Sequence, residues 1–313
     1  MKRLMFGMKR LKFKIGGGTV RRMAEVAVDV CFYASLALLG YIFLAVFVCS
    51  SFKIPSDSMM PALLPGDFVL VDKCSAGARL FDLRTACRHQ EPHIRRMPGW
   101  RDFRRNDVLV FNFPYPQRWD SIGFDILKYY VKRCIALPGD TVEIRRSRYR
   151  VRGCGQTPGW LQGQEELAAL ARMEERGCAP GGLSRRAYPL DDRLPWTIHE
   201  FGPLYVPRKG GQVILDTVNF QLYRLVIEYE TGEKLRVNAQ RQLTLGGKPI
   251  DSYTFQGNYY FFCGDQVLNS NDSRYWGFVP EEFIVGVVTH ITYSRDRESG
   301  EFRWDRLLQK VNK

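Results

Sequence analysis

From Val30 to Cys49 the chain runs for 20 residues without a charged side chain. At ~1.5 Å of helical rise per residue, such a run reaches across the ~30 Å hydrocarbon core of a bilayer. Before it, residues 1–22 hold eight basic residues (Lys2, Arg3, Lys9, Arg10, Lys12, Lys14, Arg21, Arg22) and no acid. A short flank with that bias is retained on the cytoplasmic side. The expected organisation is a basic cytoplasmic tail over 1–25, a transmembrane anchor over 26–50, and everything after it on the outer, periplasmic side of the inner (cytoplasmic) membrane. A cleavable signal sequence is the rival reading, because the start is basic and Ser50 and Ser51 are small. The apolar region of such a signal is only about 7–15 residues long, which favours a retained anchor and gives the chain a lipid bilayer as one partner.

Beyond the anchor, short runs rich in β-branched and aromatic residues predict strands at Phe68–Asp72, Asp107–Phe111, Val131–Leu137, Thr141–Val151, Tyr259–Phe262 and Ile284–Tyr293. Gln164–Arg176 is built of good helix formers and stops at Gly177. Val218–Tyr229 reads as a helix capped by Asp216 or Thr217, or as a strand, since its apolar run is too dense for the period to decide. The expected fold is therefore mainly β: an antiparallel β catalytic core over 51–151 and 259–313, split by an inserted α+β second domain over 152–258.

The net charge of +13 says little about nucleic acid. The tail supplies +8, and residues 84–105, with seven arginines against Glu91 and Asp102, account for the remaining +5. A solvated loop, or one resting on anionic lipid headgroups, explains that stretch better than a nucleic-acid footprint. Of the eight cysteines, Cys31 and Cys49 are expected in the span. Two pairings are open to the rest, Cys74 with Cys87 and Cys154 with Cys178, and spacing alone establishes neither. No close ligand spacing marks a metal site, and no cofactor is expected.

The four histidines (His89, His93, His199, His290) are scattered, so a Ser-His-Asp triad has no evident base. Ser58 follows the apolar segment within Ile54-Pro-Ser-Asp-Ser-Met-Met-Pro61. Lys132 lies in a strand among Tyr129, Tyr130, Val131, Cys134, Ile135 and Leu137. A lysine acts as a base near neutral pH only if its pKa falls by about 3 units, and burial among apolar side chains lowers it in that direction. Alternation along the strand puts Lys132 and Cys134 on one side and Val131 and Arg133 on the other.

In this context four blocks make the chain resemble the type I (leader) signal peptidases, membrane-anchored Ser/Lys endopeptidases of bacteria. They are Ile54–Asp67 (IPSDSMMPALLPGD), Asn106–Phe111 (NDVLVF), Val131–Asp140 (VKRCIALPGD) and Gly264–Pro280 (GDQVLNSNDSRYWGFVP). The resemblance implies Ser58 as nucleophile and Lys132 as general base. It implies an oxyanion hole made by the Ser56 hydroxyl and the Ser58 N–H, with Ser270 orienting the lysine amine. Asp265, Asp272, Arg274 and Arg133 would form a supporting charge cluster, Met59 and Met60 would shape the substrate pocket, and Gly264 would allow close approach of the backbone. The implied substrates are signal peptides of exported preproteins, cut after small-x-small sites and bound along a strand edge.

The family pattern is departed from in three places: Asp57 stands where glycine is usual, Ala62 where threonine is common, and Gln266-Val267-Leu268 in place of a more polar run. Asp57 is expected to face solvent, since a carboxylate turned toward Lys132 would oppose its deprotonation. Other functional classes remain in view. A soluble self-cleaving repressor would carry a DNA-binding module, and none is visible. A catalytically specialised or inactive membrane-tethered homologue would serve one dedicated surface-protein substrate or assembly partner, with 152–258 as the seat of that preference.

Overall fold

The computed structural model describes residues 18–88, 92–177 and 185–311. By internal contacts the chain divides into two units, Met1–Ala45 and Val46–Lys313.

In the first unit, helix α1 spans Gly18–Phe43, 26 residues. Together with the turn that follows, Arg21–Val48 is one helix long and apolar enough to cross a membrane, with none of its apolar window buried within the protein. Of the expected tail, residues 1–17 lie outside the described residues. The span ends earlier than expected. Cys49 and Ser50 open a strand and pair with Asp72 and Val71, so Cys49 belongs to the second unit.

That unit is built on strands β1 (Cys49–Lys53), β2 (Asp67–Asp72), β3 (Val108–Asn112), β4 (Tyr129–Ala136), β5 (Thr141–Arg145), β6 (Arg148–Val151), β7 (Phe201–Tyr205), β8 (Tyr259–Cys263), β9 (Val279–Pro280), β10 (Ile284–Ser294) and β11 (Gln309–Lys310). An eight-stranded antiparallel sheet runs β1-β2-β10-β3-β4-β8-β9, with β11 added on β10. Both of its faces are covered, and the alternation of β3 shows how. Leu109 and Phe111 enter one apolar cluster with Cys134, Phe261 and Phe262, while Val108 and Val110 enter a second with Ile54, Met59, Leu63, Val69 and Val71. Because successive side chains point to opposite faces, all five residues of this central strand are buried, and its first four, Val108–Phe111, read as one continuous apolar run.

The run expected as one strand from Thr141 to Val151 is a hairpin. Arg146 and Ser147 both take positive φ, 50° and 68°, as a two-residue hairpin loop requires, but without the glycine or asparagine that signals one. Ser147 is instead held from the side, its hydroxyl against His199 Nδ1 at 2.8 Å. Helix α2 (Leu161–Glu175) begins three residues before the expected Gln164. The ambiguous run is helix α3 (Thr217–Thr231), capped by Asp216, which accepts from the N–H groups of Val218 and Asn219, and ended by Gly232 at φ 70°.

Strand β7 pairs with β5, and the Phe201 ring lies 5.5 Å from that of Phe261 on β8. The 151/152 boundary expected from sequence therefore separates segments that share a sheet and a core within one compact unit. The arginine-rich stretch also differs from a freely solvated loop. Arg96 donates to the carbonyls of Gly77, Glu281 and Ile284, Arg101 pairs with Asp107, and Arg105 pairs with Asp140. These contacts fasten the segment to the sheet. Cys74 and Cys87 are both free thiols, the former donating to the carbonyl of Phe47, so that pairing is not formed. Cys178 lies outside the described residues.

Candidate active site

After β1, Ile54 turns inward with its N–H on the carbonyl of Asp67, and its buried side chain pins the loop that follows. Two further backbone bonds, Met60 N–H to Asp57 and Leu63 N–H to Met59, fold residues 57–63 into consecutive turns. Ser58 is carried on the first of them, half-buried. Lys132 comes from the middle of β4, opposite Leu109, and is 4 % exposed. Its Nζ lies 2.6 Å from Ser58 Oγ.

Burial pushes the Lys132 amine down to about 8, although the carboxylates of Asp272 and Asp265 pull the other way. Part of that burial comes from a neighbour that the sequence already places around the lysine. The Tyr130 ring, two residues earlier on the same strand, sits 5.5 Å from Nζ, stacked on Phe113 and edge-on to Trp276. Strand periodicity puts Tyr130, two residues away, on the same side as Lys132.

The expected charge cluster divides into two buried ion pairs. Arg133 holds Asp265 in a two-point pair, 2.7 and 2.6 Å, and donates to the carbonyl of Asn106. Asp272 and Arg274 are both fully buried and paired. Burial raises the Asp272 carboxyl, but Arg274 and the N–H of Gly264 outweigh it and hold the group below its ordinary value. Asp272 also caps the helical turn Ser273–Trp276, so the pair fixes the segment that leads away from the site.

Gly264 is sterically required. A Cβ there would fall 2.4 Å from the Ser58 carbonyl oxygen and 2.2 Å from Ser270 Oγ. Ser270 is thus beside the nucleophile, 5 % exposed. The expected hydrogen bond to the lysine amine is absent. Its hydroxyl helps keep Asp272 ionised yet makes no hydrogen bond of ordinary geometry. Ser56 is exposed, its Oγ 3.4 Å from Ser58 Oγ. Met59 packs into the core with Ile54 and Leu63 instead of lining a pocket, and Met60 is half-buried.

Asp57 does not simply face solvent. Its carboxylate accepts from Asn269 Nδ2 at 2.9 Å, while the Ser58 carbonyl accepts from the Gln266 N–H at 3.1 Å. Partners 212 residues apart carry no local signal in the sequence.

The arrangement is a hydroxyl in contact with a buried, partly depressed amine, beside a second hydroxyl and two buried ion pairs. Such a set can carry nucleophilic acyl transfer with a lysine base. The chain is also similar to known peptidases. The family described as signal peptidase, peptidase S26, matches residues 25–188 and 203–293. A signal peptidase I of Buchnera aphidicola (subspecies Schizaphis graminum) is 28 % identical over 287 residues, 90 % of this chain and 81 % of that protein. One from Aquifex aeolicus is 28 % identical over 260 residues, 83 % of this chain and 81 % of that one. A solved signal peptidase I from Enterococcus faecalis aligns at 20 % identity and a TM-score of 0.28, over 60 % of this chain and 98 % of that chain.

Proposed function

This chain belongs to the signal peptidase family, peptidase S26, and from that premise we propose that it removes signal peptides from exported preproteins with Ser58 as nucleophile and Lys132 as general base. The observation that carries the reading is the 2.6 Å contact between Lys132 Nζ and Ser58 Oγ. When the amine is protonated it donates across that contact; once neutral, it can accept the serine proton instead. A base with a pKa near the working pH suits both directions of proton transfer.

In the proposed mechanism Ser58 Oγ attacks the scissile carbonyl carbon as its proton passes to Lys132. The charge that develops on the carbonyl oxygen is met by the Ser58 N–H and, after rotation, by the Ser56 hydroxyl. Removing one such donor typically costs ~10²–10³ in turnover. Lys132 then protonates the departing amine, and a water that gives its proton to the same nitrogen attacks the acyl-enzyme. Ser270, buried beside Gly264, would steer the amine as it changes protonation state. Asp265, Asp272, Arg133 and Arg274 hold the strands and turns that carry these groups.

The substrate segment is proposed to be a small-x-small signal-peptide end. The helix over Arg21–Val48 is proposed to cross the inner membrane with its basic flank in the cytoplasm, leaving Ser58 on the outer side. The test is cleavage of a purified preprotein with an alanine-x-alanine site, in detergent, by the wild type, Ser58→Ala and Lys132→Met. Cleavage at that site by the wild type alone is the expected result. Cleavage that persists in either variant would remove that residue from its role.

A further inference from the structure

We infer that Asp57 is a positioning residue: by accepting from Asn269, its carboxylate clamps the turn carrying Ser58 to the segment carrying Gly264 and Ser270. The inference rests on the catalytic reading above.

Two pieces of chain meet at the nucleophile, 57–63 and 264–270. Among the described residues, two hydrogen bonds join them: Asn269 Nδ2 to Asp57 Oδ2 at 2.9 Å and the Gln266 N–H to the Ser58 carbonyl at 3.1 Å. They flank the tight contact that Gly264 makes with the Ser58 carbonyl and Ser270 Oγ. Met59 and Leu63 hold one side of the turn in the core, and the bond to Gln266 ties Ser58 to the facing segment through one atom. The Asp57 bond supplies a second point of attachment to that segment, on the residue before the nucleophile. Its partner is the residue before Ser270, so one contact locates both hydroxyls with respect to Lys132.

A reacting constellation held to within about half an ångström depends on supports of this kind. Glycine, the residue the family pattern leads one to expect at this position, has no side chain with which to make the bond. The backbone carbonyl of Asp57 already accepts from Met60 and gives no substitute acceptor. The carboxylate acts here as an oriented acceptor, and its charge is directed at Asn269 rather than at the amine.

The test uses the full chain in detergent with the alanine-x-alanine preprotein. Asp57→Ala should lower kcat about fivefold to tenfold, the scale of one lost hydrogen bond to a charged group at a partly exposed site, with KM within about twofold. Asp57→Asn keeps an acceptor oxygen and should retain at least about half the wild-type kcat, with the acid limb of its pH profile unmoved. Asn269→Asp opposes two carboxylates and should lose as much as Asp57→Ala. The exchange Asp57→Asn with Asn269→Asp restores a donor–acceptor pair in reverse and should recover activity.

Independent, multiplicative effects of the two substitutions would overturn the clamp, as would a change confined to KM, which marks direct contact with substrate. Hydrogen–deuterium exchange over 56–63 reads the clamp without turnover. Faster exchange in Asp57→Ala than in the wild type is expected, and equal exchange refutes it. A wild type that cleaves nothing would end the catalytic reading, and the exchange measurement would still decide the clamp.

Discussion

Lys132 is held in a place where its proton is costly, and this single circumstance has both a kinetic and a thermodynamic reading. With the folded amine near 8, kcat/KM should rise with pH through about 8 and level off above it, since only the neutral amine accepts the serine proton. A profile flat from pH 6 to 9 would exclude Lys132 as the base. The same shift bears on stability. In the folded chain the proton leaves near 8 and in the unfolded chain near the ordinary 10.5. Between those values the unfolded state binds more protons, so stability rises with pH across that window. Below pH 8 both states are protonated, and the whole penalty, about 3 kcal/mol, is present. Lys132→Met should therefore abolish cleavage while stabilising the protein by about 1–3 kcal/mol at pH 7. That advantage should shrink toward pH 10, as urea titrations at the two pH values would report. Ser58 and Lys132 were legible in the sequence because their surroundings are local: a turn after a proline, and a lysine inside an apolar strand. The tie from Asp57 to Asn269 was not, since neither residue has a neighbour that betrays the other. Nor was the failure of Ser270 to reach the amine, which depends on side-chain placement after the two segments have docked.

At the level of elements, the strands were legible wherever a run of apolar residues is bounded by Gly, Pro or Asp, as at Val108–Asn112. They were illegible where tertiary contacts supply the turn, as at Arg146 and Ser147. The segment 264–276 depends on such contacts throughout. Gly264→Ala places a methyl group against a side-chain oxygen and a backbone oxygen at once. Removing the first by Ser270→Ala leaves the 2.4 Å clash with the Ser58 carbonyl. Gly264→Ala should thus cost about 1–3 kcal/mol of stability, the usual scale of overpacking, and reduce kcat by tenfold or more by displacing Ser58. The double variant should not return to the activity of Ser270→Ala alone. Thermal unfolding alongside turnover separates the two effects. Asp265→Ala tests the neighbouring element. It leaves the buried Arg133 charge, 3 % exposed at its side chain, without its carboxylate, and a buried pair broken from one side typically costs about 3–5 kcal/mol. A destabilisation below about 1 kcal/mol in urea would mean that carbonyl acceptors such as that of Asn106 suffice for Arg133.

The whole molecule joins an apolar helix to a catalytic unit, and hydrogen bonds tie the chain just past the division into that unit. Val48 and Phe47 accept from Lys73 and Cys74 through their carbonyls, and the catalytic unit runs from Val46 onward. A form beginning at Val46 keeps these contacts and β1; one beginning after Lys53 loses an edge strand and with it the Phe52 side chain packed against the second core cluster. The first should fold and cleave a short alanine-x-alanine peptide with kcat/KM close to that of the full chain, and the second should not fold. On a preprotein inserted in vesicles the order changes. There the anchor would confine enzyme and substrate to one surface, and the full chain should exceed the Val46 form by about 10²-fold or more, within the range that tethering produces. The full chain should also remain in the membrane pellet through alkaline extraction and leave it only with detergent. Release by alkali would show that Arg21–Val48 does not span, and equal rates on vesicle-bound preprotein would show that whatever the helix does, it does not deliver the active site to its substrate.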